Sequence, residues 1–90
     1  MNWDIDWSRQ ASAFLEKNRI PEEDILNCIR CALKKFSGED INVDISKLKG
    51  KWEGFYRIRQ GKLRVIAEFN FDHTSVFIEV VDWRGSAYQK

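Results

Sequence analysis

The chain has 90 residues, of which 43% are hydrophobic and 32% are charged, and its formal net charge at pH 7 is +1. This length suits one domain over residues 1–90, and the composition excludes a disordered or collagen-like chain. No apolar run approaches the ~18–20 residues of a membrane-spanning helix. Because 2 cysteines are also too few for a disulfide framework, we expect a soluble cytoplasmic protein without a membrane partner.

The first half of the chain predicts one short strand and two helices. Polar and apolar side chains alternate over residues 2–7, which is typical of a strand with one solvent-exposed face. Ser8 occupies the N-cap position of a helix over residues 8–18. A second helix is predicted over residues 21–38, from a proline that suits the first turn to a glycine that ends the helix. Residues 39–50 are predicted as a loop or an irregular extended segment.

The second half of the chain predicts three strands, over residues 53–59, 62–70 and 76–82. The dipeptide Gln60-Gly61 is predicted as the hairpin turn between the first two, since glycine supplies the positive φ that such turns need. Short connections make these three strands antiparallel neighbours. The sequence therefore predicts an α+β fold of the order β-α-α-β-β-β, with both helices packed on a mainly antiparallel sheet of about four strands.

Alternation along the strands assigns side chains to the two faces of this sheet. The residues expected to face the helices are Tyr56, Ile58, Leu63, Val65, Ala67, Phe69, Val76, Ile78 and Val80. The residues expected on the opposite, open face are Arg57, Arg59 and Arg64, together with exposed Ile66, Phe77 and Val81. The prediction is an open sheet face on which arginines lie among apolar side chains.

Basic residues are concentrated in the second half of the chain. Residues 1–45 carry 6 Lys or Arg and 9 Asp or Glu, whereas residues 46–90 carry 9 and 5, so the net charges are −3 and +4. A local basic surface of this kind favours a polyanionic partner, and a solvated charged surface is the competing interpretation. The lysines expected to contact such a polyanionic partner are Lys47, Lys49, Lys51 and Lys62.

The cysteines and the histidine do not form a recognisable site. Cys28 and Cys31 lie in the middle of a predicted helix, and a zinc site needs four ligands, to which only His73 can be added. We therefore predict two free thiols, a surface histidine in a turn, no metal and no cofactor. No glycine-rich phosphate loop and no nucleophile triad is present in the sequence.

Two segments resemble a known family. The run Leu48-Lys49-Gly50-Lys51-Trp52-Glu53-Gly54-Phe55-Tyr56-Arg57-Ile58-Arg59-Gln60-Gly61-Lys62-Leu63-Arg64-Val65-Ile66 is similar to the central hairpin of the RelE/ParE superfamily of toxins from toxin–antitoxin systems. The ending Trp83-Arg84-Gly85-Ser86-Ala87-Tyr88-Gln89-Lys90 is similar to the C-terminus of the RelE branch, notably of its archaeal members. The predicted order of strands and helices also matches that fold.

The resemblance implies a ribosome-dependent endoribonuclease that cuts mRNA by attack of a ribose 2′-OH on the adjacent phosphate. Arg64 would stabilise the phosphate in the transition state, Arg84 would face the leaving oxygen, and Tyr88 would stack on or orient the neighbouring base. Arg57 and Arg59 stand where RelE has lysines. Because arginine stays protonated, the site either works mainly by electrostatic stabilisation or takes its general base from another group.

The resemblance also implies partners, namely the ribosome, its mRNA and a cognate antitoxin that covers the basic face. Two other functions remain open at the level of sequence. One is inhibition of DNA gyrase without nuclease activity, as in the ParE branch, against which Arg84 and Tyr88 weigh. The other is a non-catalytic module that binds RNA or protein.

Overall fold

The computed structural model describes residues 2–84, which form one mixed sheet with two helices on one side. The helices are α1 (Arg9–Asn18) and α2 (Glu22–Phe36), and the strands are β1 (Asp4–Trp7), β2 (Asp44–Lys47), β3 (Phe55–Gln60), β4 (Leu63–Asn70) and β5 (Ser75–Trp83). A single 3₁₀ turn, Gly50–Trp52, precedes β3. The strand order is β1-β5-β4-β3-β2, and β1 runs parallel to β5 while the other pairs are antiparallel. The predicted α+β fold is confirmed.

The sheet has five strands in the described part of the chain, one more than expected. The additional strand is β2, which lies in the segment 39–50 that was predicted as a loop or irregular extended segment. It pairs antiparallel with β3, from Asp44 opposite Arg59 to Lys47 opposite Tyr56. With four residues it is too short for its alternation to stand out in the sequence.

The predicted helices form, and their apolar faces cover the sheet. The Ser8 hydroxyl accepts a hydrogen bond from the Ala11 backbone N–H at 3.0 Å, so Ser8 is the N-cap of α1 as predicted. Acidic residues occupy the first turn of α2 and lysines its last turn, which complements the helix dipole. The buried core between helices and sheet consists of Ala11, Leu15, Ile25, Cys28, Ile29, Ala32, Ile58, Val65, Ala67, Phe69, Val76, Ile78 and Val81.

A β-bulge in β5 reverses the predicted faces beyond residue 79. Ile66 pairs with Val80 and Ala67 pairs with Ile78, so Glu79 has no opposite residue on β4. The alternation therefore shifts by one, and Val81 instead of Val80 faces the helices, fully buried. The prediction that Val81 is exposed on the open face is wrong for this reason.

Side chains from the start of α1 bind the backbone of β5 at and after the bulge. The Ser8 hydroxyl donates to the Glu79 carbonyl at 2.6 Å. The Gln10 amide donates to the Val81 carbonyl at 3.1 Å, and its oxygen accepts from the Val81 N–H at 3.2 Å. The Gln10 side chain thus takes the place of β1 beyond the end of that strand. The backbone groups of Val81 on β5 are therefore hydrogen-bonded beyond the parallel β1–β5 pairing.

The turn between β3 and β4 begins one residue later than predicted. Gln60 pairs with Leu63, so the two loop residues are Gly61 and Lys62. Gly61 has a φ of 58°, which glycine adopts without strain. Within residues 2–84, no helix is both long and apolar enough to cross a membrane.

Candidate nucleic-acid interface

Four charged residues form a line across four strands on the face of the sheet away from the helices. Asp44 on β2 is opposite Arg59 on β3, which is opposite Arg64 on β4, which is opposite Asp82 on β5. We call this set the charged row. It brings together two of the predicted arginines and adds two carboxylates that were not among the predicted site residues.

Each arginine of the charged row lies beside a carboxylate. Arg59 Nη1 is 3.6 Å from Asp44 Oδ2, and Arg64 Nε is 3.4 Å from Asp82 Oδ1. Like charges directly opposite each other on neighbouring strands are destabilising, and the flanking carboxylates offset that repulsion. The row is therefore a preassembled pair of guanidinium groups whose donors suit an anion with several oxygens, such as a phosphate.

The β5 bulge is the reason that Asp82 belongs to the charged row. Without the bulge, Asp82 would share a face with Val76 and Ile78 and point toward the helices. With Glu79 unpaired, Asp82 turns to the open face and lies opposite Arg64. One irregularity in the ladder thus buries Val81 and supplies Arg64 with its carboxylate.

Arg64 is on the predicted face of the sheet but is only 4% exposed, although it was expected to lie in solvent. Its neighbours on this face include Arg59 and Asp82 across the sheet and Ile66 along β4, which is also buried. A guanidinium group removed from water in this way requires a charged partner to remain stable. Arg64 therefore contributes to the fold as well as to any site on this face.

Arg57 and Arg84 lie on either side of the charged row. Arg57 is opposite Ile66, and its Nη2 donates to the Ser46 hydroxyl at 3.1 Å. Arg84 is exposed; its Nη1 donates to the Gly61 carbonyl at 3.1 Å and its backbone N–H to the Lys62 carbonyl at 2.8 Å. Arg84 is thus held at the β3–β4 turn, at the end of the sheet where the row lies. The last predicted site residue, Tyr88, lies outside the described residues.

The four predicted lysines do not lie at one place. Lys62 is in the β3–β4 turn beside Arg84, whereas Lys49 and Lys51 lie before the start of β3. The two ends of β3 are about 17 Å apart at the rise of an antiparallel strand. Lys47 is opposite Tyr56, a core-facing residue, so its register places it on the helix side of the sheet edge. Only Lys62 adjoins the charged row.

Cys28 is a buried thiol on α2, close to the end of β3. Its Sγ contacts the side-chain oxygen of Gln60, and burial raises the pKa of Cys28 to about 11, with the neighbouring Cys31 and Asp24 adding to the shift. Both cysteines are free. Within residues 2–84, no group of three or more His, Cys, Asp or Glu side chains is arranged to hold a metal ion. His73 lies exposed in the β4–β5 turn, as predicted.

We expect Cys28 to resist alkylation while Cys31 reacts. A pKa two units above that of an ordinary thiol lowers the thiolate fraction about a hundredfold near neutral pH, and the thiolate is the reactive form. Iodoacetamide at pH 8, followed by mass spectrometry of the peptides, should label half-buried Cys31 first. The same reaction in denaturant should label both cysteines equally, and equal rates in the folded protein would contradict the assignment.

Comparisons with known proteins show which proteins share this fold. No protein-family profile and no curated protein sequence matches the chain. Among solved structures, a chain of the archaeal RelE–RelB complex from Pyrococcus horikoshii is 25% identical with a TM-score of 0.65, and the match covers 96% of this chain and 99% of that one. A chain of the RelB–RelE antitoxin–toxin complex from Methanococcus jannaschii is 25% identical with a TM-score of 0.61, covering 92% and 94%. A chain of the toxin–antitoxin complex RelBE2 from Mycobacterium tuberculosis is 24% identical with a TM-score of 0.59, covering 93% and 100%.

These matches extend over nearly the whole of each chain. The protein has the fold of the RelE-like toxin superfamily. The resemblance found in the sequence, including its likeness to archaeal RelE, is thereby confirmed at the level of the fold.

Proposed function

We propose that this protein is the toxin of a toxin–antitoxin pair and that it cleaves mRNA on the ribosome as an endoribonuclease. The observation that carries the proposal is the charged row, in which Arg59 and Arg64 lie side by side on the open face of a RelE-like sheet. A chain of 90 residues has little room for a deep substrate pocket. A ribosome that holds and bends the mRNA would supply the positioning that the small domain lacks.

The proposed reaction is an internal transesterification. The ribose 2′-oxygen attacks its adjacent phosphorus, the bond from phosphorus to the 5′-oxygen of the next nucleotide breaks, and a 2′,3′-cyclic phosphate forms. The 2′-OH loses its proton to a base, and the leaving 5′-oxygen takes up a proton to become a hydroxyl. Negative charge on the phosphate oxygens rises in the transition state, and preorganised cationic donors stabilise that charge.

Each arginine has a separate role in this reaction. Arg64 lies with its Nε 3.4 Å from Asp82 Oδ1, and its guanidinium group is assigned to the phosphate oxygens of the transition state. Arg84 adjoins the β3–β4 turn beside the row and is assigned to the leaving 5′-oxygen. Arg57 and Arg59 extend the cationic surface toward β2 and hold the neighbouring backbone phosphates.

The proton acceptor is not an arginine, because a guanidinium group stays protonated at any working pH. Asp44 and Asp82 are the carboxylates that lie beside the arginines of the row. The arginines therefore accelerate the reaction mainly by electrostatic stabilisation. The proton is accepted either by one of these two carboxylates or by a group outside the row.

A direct test is cleavage of a defined mRNA by the purified chain, with and without programmed ribosomes. We expect cuts only in the ribosome-bound mRNA, and primer extension will locate them. A parallel gyrase supercoiling assay tests the ParE-like activity. Inhibition of gyrase without mRNA cleavage would overturn the proposed function, and so would cleavage of free mRNA at an equal rate.

Ribosome binding is expected to weaken steeply with salt. Each phosphate that a Lys or Arg neutralises releases counterions, so the logarithm of the affinity falls with the logarithm of the salt concentration. Replacing both Lys49 and Lys51 by Gln should lower this slope and weaken binding without changing the cleavage rate of saturated ribosomes. Ribosome affinities measured at salt concentrations between about 50 and 200 mM provide the check. A slope of zero for the unmodified chain would contradict the assignment.

Tyr88 is expected to act by stacking on a base. Base–aromatic stacking is worth about 1–3 kcal/mol, so Tyr88→Ala should lower the cleavage rate about 5- to 150-fold while Tyr88→Phe keeps most of it. Loss of activity in both variants would instead assign the role to the hydroxyl. Full activity in both would remove Tyr88 from the site.

A further inference from the structure

An open cleft lies beside the β3–β4 turn, on the helix side of the same sheet end that carries the charged row. It has a volume of about 450 Å³ and is bounded by the first two turns of α2, the β3–β4 turn and the end of β5. Its polar lining residues are Asp24, Asn27, Gln60 and Lys62, and Trp83 contributes an aromatic ring. We call this feature the turn cleft. Its volume lies within the range of about 300–1,000 Å³ that is typical of small-molecule sites.

Two amide side chains of the turn cleft are oriented by neighbouring side chains. Arg30 Nη1 donates to the Asn27 side-chain oxygen at 2.6 Å, and the same nitrogen binds Glu23 Oε2 at 2.7 Å. The Cys28 thiol donates to the side-chain oxygen of Gln60, and a pKa of about 11 keeps this thiol protonated near neutral pH. Both amide oxygens therefore accept a hydrogen bond from the protein, and both amide nitrogens remain as donors for a ligand.

Two further side chains complete a set that suits a nucleobase. Trp83 is 39% exposed although Phe14 packs edge to face on it at a centroid distance of 5.3 Å, so part of the indole surface is accessible to a ligand. Asp24 is exposed, and its carboxylate only accepts hydrogen bonds. Unpaired RNA bases are recognised by this combination, in which an aromatic ring contacts the base and polar side chains bind its edges.

Charge decides which part of a nucleotide suits the turn cleft. The residues of the first turn of α2 are acidic, and Asp24, which lines the cleft, is one of them. A phosphate would be repelled by this carboxylate, whereas a base is uncharged. Lys62 at the turn and Arg84 beside it are the cations available to the phosphate. The cleft therefore fits a base whose phosphate stays outside it.

The turn that borders the cleft also holds Arg84. Arg84 Nη1 donates to the Gly61 carbonyl at 3.1 Å, and Gly61 lines the cleft. Leu63 also lines it and precedes Arg64 on β4, at a rise of about 3.4 Å. The charged row and the cleft thus lie on opposite faces of one sheet end, with the turn between them. Because Arg84 is assigned to the leaving 5′-oxygen, the nucleotide that carries this oxygen is the one whose base lies nearest the cleft.

We propose that the turn cleft binds the base of the nucleotide on the 3′ side of the cut, and that Asp24 selects bases with an exocyclic amino group. This inference rests on the proposed function for the cleavage reaction. Adenine, cytosine and guanine each carry an amino group that donates to a carboxylate, while the Asn27 and Gln60 amides donate to acceptors on the base. Uracil has no amino group, and its single N–H lies between two carbonyl oxygens that repel a carboxylate. The cleft therefore disfavours uracil.

The test measures single-turnover cleavage of four mRNAs on programmed ribosomes, which differ only in the base 3′ of the cut. For the unmodified chain we expect the uracil mRNA to be cut at least about fivefold more slowly than the other three. Asp24→Asn should bring this ratio within twofold, because an amide donates as well as accepts hydrogen bonds. Glu22→Gln is the matched control and should keep the unmodified ratio, since it changes the charge equally in the same helix turn but does not line the cleft.

Two substitutions of Trp83 test the aromatic side of the cleft. Trp83→Ala should slow cleavage of all four mRNAs about fivefold or more, because an aromatic ring contacts every base irrespective of its edge. Trp83→Phe keeps a ring and should restore most of the rate. Full rates for folded Trp83→Ala would contradict a base in the cleft. If Trp83→Ala fails to fold, the surface variants Asp24→Asn and Glu22→Gln decide alone.

The outcomes separate this inference from the proposed function. Equal cleavage of all four mRNAs by the unmodified chain would overturn the turn cleft as a base site and leave the nuclease function standing. An unchanged ratio in Asp24→Asn, or an equal change in Glu22→Gln, would also overturn it, because the base preference would then come from the ribosome or from net charge. Absence of cleavage of every mRNA would overturn the proposed function and this inference with it.

Discussion

Arg64→Lys is expected to lower the rate of mRNA cleavage about 10²–10³-fold, which is the usual effect of removing a donor aimed at a developing oxyanion. Lysine keeps the positive charge but not the fork of donors that matches two phosphate oxygens. Arg64 is 4% exposed and lies 3.4 Å from Asp82, so the retained charge also protects the fold. Single-turnover cleavage on programmed ribosomes measures the rate, and urea unfolding measures the stability.

Arg64→Ala separates the proposed catalytic role of this residue from its structural contribution. It should be equally inactive but less stable, by about 1–3 kcal/mol, because a partly buried carboxylate loses its counter-ion. The double variant Arg64→Ala/Asp82→Ala should recover part of that stability and remain inactive, since both members of the pair are then removed. Cleavage at the unmodified rate by folded Arg64→Lys would exclude Arg64 from the site.

Val81→Asp is expected to prevent stable folding, whereas Val80→Asp is tolerated. Val81 is fully buried beneath the helices, and an unpaired carboxylate there costs several kcal/mol, a large part of the stability of a small domain. Val80 faces the open side of the sheet opposite Ile66 and is half-buried. Urea unfolding followed by tryptophan fluorescence compares the two variants.

The two valines form a matched pair because they are adjacent, identical in type and change in the same way. Continuous alternation along β5 would reverse the result, placing Val80 in the core and Val81 in solvent. A more stable Val81→Asp than Val80→Asp would therefore show that the bulge at Glu79 is absent, and with it the placement of Asp82 beside Arg64.

The parts of the fold that could be predicted are those with a strong local pattern. α1 begins at the Ser8 cap, α2 has an apolar stripe of several turns, and β4 alternates over eight residues, so their positions follow from the sequence. Alternation also predicts that the side chains of Arg57 and Arg59 lie on the other face of the sheet from that of Ile58. In contrast, β2 has only four residues, too few to show a clear alternation. It forms by pairing with the free edge of β3, which exists only once the rest of the sheet has formed.

The charged row could be predicted only in part. The arginines follow from strand alternation, but their carboxylate partners depend on register between strands distant in sequence. Asp82 reaches Arg64 through a bulge that the sequence does not mark, because apolar residues occupy both faces of the run from Val76 to Val81. The burial of Arg64 does not follow from the sequence either, because a basic residue on an open sheet face is normally solvated.

The bulge also shows how local polar contacts specify the register of the charged row. Ser8 binds the carbonyl of Glu79, and Gln10 binds both backbone groups of Val81. These two residues at the start of α1 favour the bulged over the regular ladder, since a regular ladder would leave those hydrogen bonds unmade. The residues that fix the register of the charged row therefore lie on the opposite side of the sheet.

The most direct measurement of the central claim compares two mRNAs on programmed ribosomes, one with ribose throughout and one with 2′-deoxyribose at the cleaved nucleotide. Attack by the 2′-oxygen predicts that the first mRNA is cut, leaving a 2′,3′-cyclic phosphate and a 5′-hydroxyl, and that the second stays intact at that position. Arg64→Lys should cut the first mRNA at least a hundredfold more slowly. Equal cleavage of both mRNAs at that nucleotide, or no cleavage of either by the unmodified protein, would contradict the account.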